Sequence, residues 1–180
     1  INFAQGAIEL TEAPLDVAID GSGFFIVDHD GGQALSRDGR LTINESGTLV
    51  QAATGRAVLS SSSTPIQIDP QDGEIVIHSD GLITQNDQAV GQLGLADVPD
   101  RSILKKYGEG LFVSQYGTPL TIQDGTGAFK QGAFEGSAVN EIDAIMKIQS
   151  ASRSAQSNIG MIDMQNQMMD RTINTFGRIA

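Results

Sequence analysis

His29 and His78 are the only two histidines, and the chain has no cysteine to stand beside them. A structural zinc site takes four Cys or His ligands at short spacings, and a catalytic site takes three. Neither histidine lies in such a spacing, so both read as exposed polar residues. Without a thiol there is no disulfide and no thiolate nucleophile. Asp28-His29-Asp30-Gly31-Gly32 and Asp69-Pro70-Gln71-Asp72-Gly73-Glu74 place carboxylates next to glycine. Both lack the ordered oxygens and terminal bidentate glutamate of an EF-hand loop, and read as Asp/Gly turns. Gly21-Ser22-Gly23 lacks the spacing of a nucleophile elbow. Asp20-Gly21-Ser22-Gly23 has glycines but neither the lysine nor the helix start of a phosphate loop. The other carboxylates sit mostly beside glycine, where they shape turns rather than pair as a glycosidase acid and base. No catalytic residue, cofactor or metal site is expected.

The elements behind these residues fall into two regimes. Residues 1 to 135 read as short strands between Gly, Asp and Asn turns. Leu15 to Ile19 alternates apolar with polar or small residues, Asp20 to Gly23 turns, and Phe24 to Val27 is a buried run. Leu41-Thr42-Ile43 and Leu49-Val50 flank a Gly47 turn as a hairpin, and Glu74 to Ile77 with Leu82-Ile83 form a second. Ala89 to Val98 and Leu111 to Val113 continue the strand pattern, and Ser60 to Thr64 is a polar connector. All five prolines lie at or before position 119, as strand edges and loops require. The fold class expected is mainly β: a short-stranded, Gly-rich domain over 1–135, with a long coiled-coil-type C-terminal α-helix over 136–180.

Apolar spacing in the second regime changes from two to about 3.5. One seam runs through Ile145, Ile148, Ser152, Ala155, Ile159, Ile162, Asn166, Met169, Ile173 and Phe176. Its steps alternate three and four residues, the heptad signature of a helix that packs on other helices. Met161, Met164 and Met168 widen the apolar face and read as packing, not as a metal site. Ser137 is the expected N-cap, with Glu141 near the capping-box position. Gly160 either admits another backbone or is neutral variation. Residues 138–180 would extend roughly 65 Å as a helix. No second helical segment accompanies this one, so the seam needs a partner from outside these residues. The expected assembly interface is Ile145, Ile148, Ala155, Ile159, Ile162, Met169, Ile173 and Phe176.

The net charge of −11 is unevenly placed. Four acidic and four basic side chains balance beyond residue 137, leaving 18 of the 22 acids and 7 of the 11 bases before it. No basic patch neutralises phosphates, so nucleic acid is not an expected partner. An acidic surface repels anionic membranes, and no run of 18 apolar residues occurs, so membrane insertion is not expected either. The chain opens Ile1-Asn2-Phe3, without a start Met or signal pattern, and reads as a processed or truncated product.

Three stretches carry a family resemblance. Pro14 to Phe25 (PLDVAIDGSGFF), Arg37-Asp38-Gly39-Arg40-Leu41 followed by Gly47-Thr48-Leu49-Val50, and Gln131 to Asn140 (QGAFEGSAVN) resemble successive signatures of the flagellar basal-body rod and hook proteins. Arg153 stands where that family's helix carries Arg. Leu41, Ala138 and Ala155 depart from the family's usual Phe, Asn and Tyr. Pro65-Ile66-Gln67-Ile68, Asp80-Gly81-Leu82-Ile83 and Val90-Gly91-Gln92-Leu93 are most similar to the proximal rod type. The distal rod type is the nearest alternative.

The resemblance implies a non-enzymatic structural subunit of the axial rod. It implies partners among other rod and axial proteins, with copies of itself left open. It also implies export by the flagellar secretion apparatus, residence in the periplasmic basal body, and a helix before Ile1 that pairs with the C-terminal one. Two readings of other classes remain: a stalk or adhesin module trimerised through the heptads, and a carbohydrate-active β-domain. The first requires a parallel homotrimer and the second two carboxylates converging in a cleft.

Overall fold

The computed structural model describes residues 3, 5–30, 32–136 and 141–176, and within the helix the side-chain surroundings of residues 145–171. The strands are β1 (Ile8–Leu10), β2 (Val17–Asp20), β3 (Phe24–His29), β4 (Gly32–Ser36), β5 (Leu41–Ile43), β6 (Leu49–Gln51), β7 (Val58–Leu59) and β8 (Ile75–Ile77). They continue as β9 (Leu82–Gln85), β10 (Gln88–Gln92), β11 (Leu95–Asp97), β12 (Leu104–Gly108), β13 (Leu111–Ser114), β14 (Gln123–Asp124), β15 (Ala128–Gln131) and β16 (Ala133–Glu135). Among the described residues one α-helix, α1 (Glu141–Phe176), follows. The chain divides into two compact units, Ile1–Ala138 and Val139–Ala180. The expected N-cap Ser137 and the junction through Asn140 lie outside the described residues.

Strand β3 organises the first unit. One of its edges pairs with β4, and the other is shared by β11 at Phe24 and Phe25 and by β7 at Ile26 and Val27. Successive side chains point to opposite faces of a strand. Phe25 and Val27 therefore enter one core with Ile19, Leu49, Ile83 and Leu111, while Phe24 and Ile26 enter a second with Leu35, Leu59, Val98 and Leu104. Both faces are covered, which is why Phe24 to Val27 reads as an unbroken apolar run. Burying each of these side chains stabilises the unit by about 1.5–3 kcal/mol. The second core closes on an aromatic cluster in which Phe24 meets Phe3 at 6.0 Å and Phe112 at 5.8 Å.

The two expected hairpins form as β5–β6 and β8–β9. The stretch from Ala89 to Val98 is divided between two sheets: β10 pairs with β9, whereas β11 pairs with β3. Gly94 marks the switch, since a Cβ there would lie 2.8 Å from Ile26 and 2.9 Å from the Ser60 backbone. The seven-stranded sheet runs β12-β13-β4-β3-β11-β14 with β7 added on β3, and β8, β9 and β10 form a separate sheet. The unit is closed by its own ends, because β1 pairs with β16 and β2 with β15.

Candidate assembly interface

The three sequence stretches that carry the family resemblance meet at one side chain. Arg37, just after β4, donates through one guanidinium nitrogen to Glu135 at 3.0 Å and through the other to the Gly21 carbonyl at 3.0 Å. Its guanidinium carbon lies 5.2 Å from the centroid of the Phe24 ring, a cation–π distance. Gly21 and Phe24 belong to the first stretch, Arg37 to the second and Glu135 to the third. The Glu135 side chain is only 8% exposed, so Arg37 compensates a carboxylate that water scarcely reaches. Its other oxygen accepts from the Gly6 N–H at 2.8 Å, which ties in the N-terminal segment.

The remaining signature residues also serve the fold. Gly39 sits so close to β2 that a Cβ would overlap the Val17 carbonyl. Gly23 has φ +137°, and a Cβ there would also meet Leu95 at 2.6 Å. Gln131 donates to the Pro14 and Ile75 carbonyls, both at 2.8 Å, and accepts from the Ile77 N–H at 3.1 Å. One amide thereby joins three segments. Two arginine–carboxylate forks brace the surface: Arg40 on Asp38 and Arg101 on Asp97, each with a closest approach of 2.7 Å. Burial raises the pKa of both aspartates, but the combined hydrogen bonds and charge of their arginines prevail and hold both below the ordinary carboxylate value.

The histidines are not brought together as a site. His78 is exposed and lies 3.2 Å from the Thr84 hydroxyl. His29 corrects the expectation of an exposed ring. Its side chain is 14% exposed and packs edge-on to Tyr107 at 4.5 Å, with Nδ1 buried and unbonded. The cause is the β12–β13 hairpin, whose pairing with β4 across the sheet no local pattern announces. Asp69 forms an Asx turn by accepting from the Gln71 N–H at 2.9 Å, while the other acidic loop includes Gly31, which lies outside the described residues.

The expected assembly residues all fall on α1. Ile145, Ile148, Ile159, Ile162 and Met169 are between 55% and 69% exposed, as are Met161, Met164 and Met168, and Ala155 is exposed too. The side chains of Ile173 and Phe176 lie outside the described residues. A straight helix turns about 20° per heptad away from a 3.5-residue repeat. The seam therefore winds slowly around α1 rather than running parallel to its axis. Sequence reasoning found this stripe through its spacing and missed the Arg37–Glu135 pair. The only local trace of that pair was that each stretch held residues with no chemistry to explain them.

A β-unit whose polar side chains tie its own segments together, followed by a helix with an exposed apolar stripe, defines a protein that works by association. Comparison with known proteins makes this specific. Residues 18–85 match the family described as the flagellar hook protein FlgE/F/G D1 domain. The chain is 34% identical over 179 residues to the flagellar basal-body rod protein FlgF of Caulobacter vibrioides, covering 99% of this chain and 72% of the relative. It is 31% identical to FlgF of Mesorhizobium japonicum, covering 98% of this chain and 73% of the relative. It is also 31% identical to the rod protein FlgG of Bacillus subtilis, covering 95% of this chain and 69% of the relative.

The chain belongs to the flagellar basal-body rod proteins and is most like those named FlgF. This is a family of structural rod subunits of the basal body, not of enzymes.

Proposed function

We propose that this chain builds the flagellar rod by packing the α1 seam against helices of its axial neighbours, while the β-unit makes the outer contacts. The observation that carries this reading is the stripe of isoleucines and methionines, more than half exposed along α1. Covering each of them is worth about 1.5–3 kcal/mol, and heptad spacing suits a wound helical partner. The division of labour follows the sequence, with 1–135 as the β-rich outer domain and 136–180 as the axial helix. The partners are other rod and axial proteins, and copies of itself. The site of residence is the periplasmic rod, reached through the flagellar secretion apparatus. No described helix is long and apolar enough to cross a membrane, and the acid excess disfavours an anionic bilayer surface.

The test is Ile162→Asp in the full-length protein. A carboxylate there must be desolvated at every helix contact, so motility in a deletion strain is expected to be lost. The melting midpoint of the purified chain is expected to stay within a degree or two. Normal swimming would remove the seam as an assembly surface. A large fall in the midpoint would assign Ile162 to the chain's own fold. The matches to FlgG relatives favour one alternative, a distal rod position. Complementation of two deletion strains, one per rod type, separates the two readings.

A further inference from the structure

The β8–β10 sheet carries acid without base. Between Ala57 and Asp100 there is no lysine or arginine, yet this stretch holds seven carboxylates, and it includes all of β8, β9 and β10. Asp72, Glu74, Asp80 and Asp87 are exposed there. The bases lie elsewhere. Arg37, Arg40, Arg56 and Arg101 each stand within ion-pair distance of a carboxylate. Lys105, Lys106 and Lys130 have no ion pair among the described residues; Lys130 stands alone on β15, while Lys105 and Lys106 share β12, the outermost strand of the seven-stranded sheet.

β12 is built as an open edge. Among the described residues it pairs only with β13, so its other edge offers unpaired backbone donors and acceptors. Lys105 through Glu109 are all exposed, and alternation places the two lysines on opposite faces of the strand. A bulge opposite Phe112 and Leu111 makes Tyr107 the extra residue, and the ring is 58% exposed even while its edge touches His29. Glu109 and Gly110, at φ 48° and 77°, form the tight turn that holds the hairpin. Tyr107 is thus an exposed aromatic ring beside an open strand edge, and tyrosine is enriched at interfaces.

We infer that the β12 edge of one subunit docks on the acidic β8–β10 sheet of a second copy of this chain. The occupant is chosen by charge: this chain's own acidic sheet is the complement its lysine edge lacks. The contact joins two different surfaces, so it is heterologous and leaves one free surface of each kind on every pair. Repeated, it propagates as an open helical array rather than ending at a dimer. The inference rests on the rod reading, but it concerns the β-units and leaves the α1 seam aside.

These 180 residues hold no cysteine, so each introduced thiol is the only one among them, and the unsubstituted full-length protein is the control for any other. Glu109→Cys, at the hairpin tip, and Asp87→Cys, in the β9–β10 turn, are expressed as full-length protein in motile cells and treated with a bifunctional maleimide. Cells making both variants are expected to yield an adduct of two copies, and cells making either alone to yield none. The double variant is expected to give a ladder beyond the dimer. Adding Lys105→Glu with Lys106→Glu is expected to cut the adduct at least tenfold, and Asp72→Lys with Glu74→Lys on the opposing sheet to restore it. No adduct in motile cells, an adduct from one variant alone, or capture of a different protein would each overturn the inference while leaving the seam reading intact. So would the outcome in which the lysines merely guard the edge. In that case Lys105→Gln with Lys106→Gln makes the purified chain aggregate, and the reciprocal charge pair restores nothing.

Discussion

Arg37 and Glu135 show how a single ion pair outweighs a surface salt bridge. Exposed pairs are worth less than about 1 kcal/mol, but Glu135 is nearly covered and would keep an uncompensated charge if Arg37 were removed. Arg37→Ala is expected to lower unfolding free energy by about 2–3 kcal/mol in urea titrations. Arg37→Lys should recover little, because an ammonium cannot reach Glu135 and the Gly21 carbonyl as a fork does. A loss below about 0.5 kcal/mol for Arg37→Ala would show that the three stretches hold together without it. Asp38 and Asp97 bear on acid stability. Their folded pKa values lie below the ordinary value, so the stability they add is present above about pH 4 and is lost as pH falls through the lowered folded values. Asp97→Asn is therefore expected to weaken the protein at neutral pH and to flatten the fall in stability below about pH 4. An unchanged acid limb would exclude the Arg101 fork as its source.

Among the elements, α1 was the most legible, because a helix declares itself and its apolar face in its own spacing. Hairpins were nearly as clear: Asn44 and Gly47 mark the β5–β6 turn, and the Asn44 side chain accepts from the Ser46 and Thr48 N–H groups at 3.0 and 2.9 Å. Pairings between distant strands left no such local mark. β7, β14 and β15 are short, and their partners β3, β11 and β2 lie far away in sequence rather than across a turn. Their register became visible only in three dimensions. The same limit hid the burial of His29. Gly160 offers an element-scale test. A Cβ there meets nothing within 4 Å, so Gly160→Ala is expected to raise helix stability by about 1 kcal/mol, read as a higher-melting far-ultraviolet dichroism signal. Lost motility beside that gain would show that another backbone approaches α1 at this point. Unchanged motility would mark the glycine as neutral.

At the scale of the whole molecule, the acid excess of the β-unit and the near-neutral helix are separate designs in one chain. The first keeps the unit soluble and gives its one lysine edge something to recognise. The second leaves apolar side chains rather than net charge as the exposed character of α1. The wide spacing in sequence between partners has a further consequence. Ile8 pairs with Glu135 and Val17 with Gln131, so the closing strands arrive more than a hundred residues after the strands they complete. Such loops must be closed before their contacts return any free energy, and chains of this kind fold in milliseconds to seconds rather than microseconds. Stopped-flow refolding is expected to fall in that slower range. A chain ending before β15 should stay open, with exchange-labile amides throughout β2, and protection of β2 in that truncated chain would refute the expectation. Timing is thereby written into the topology: β1 and β2 gain their strand partners only once the last two strands are available.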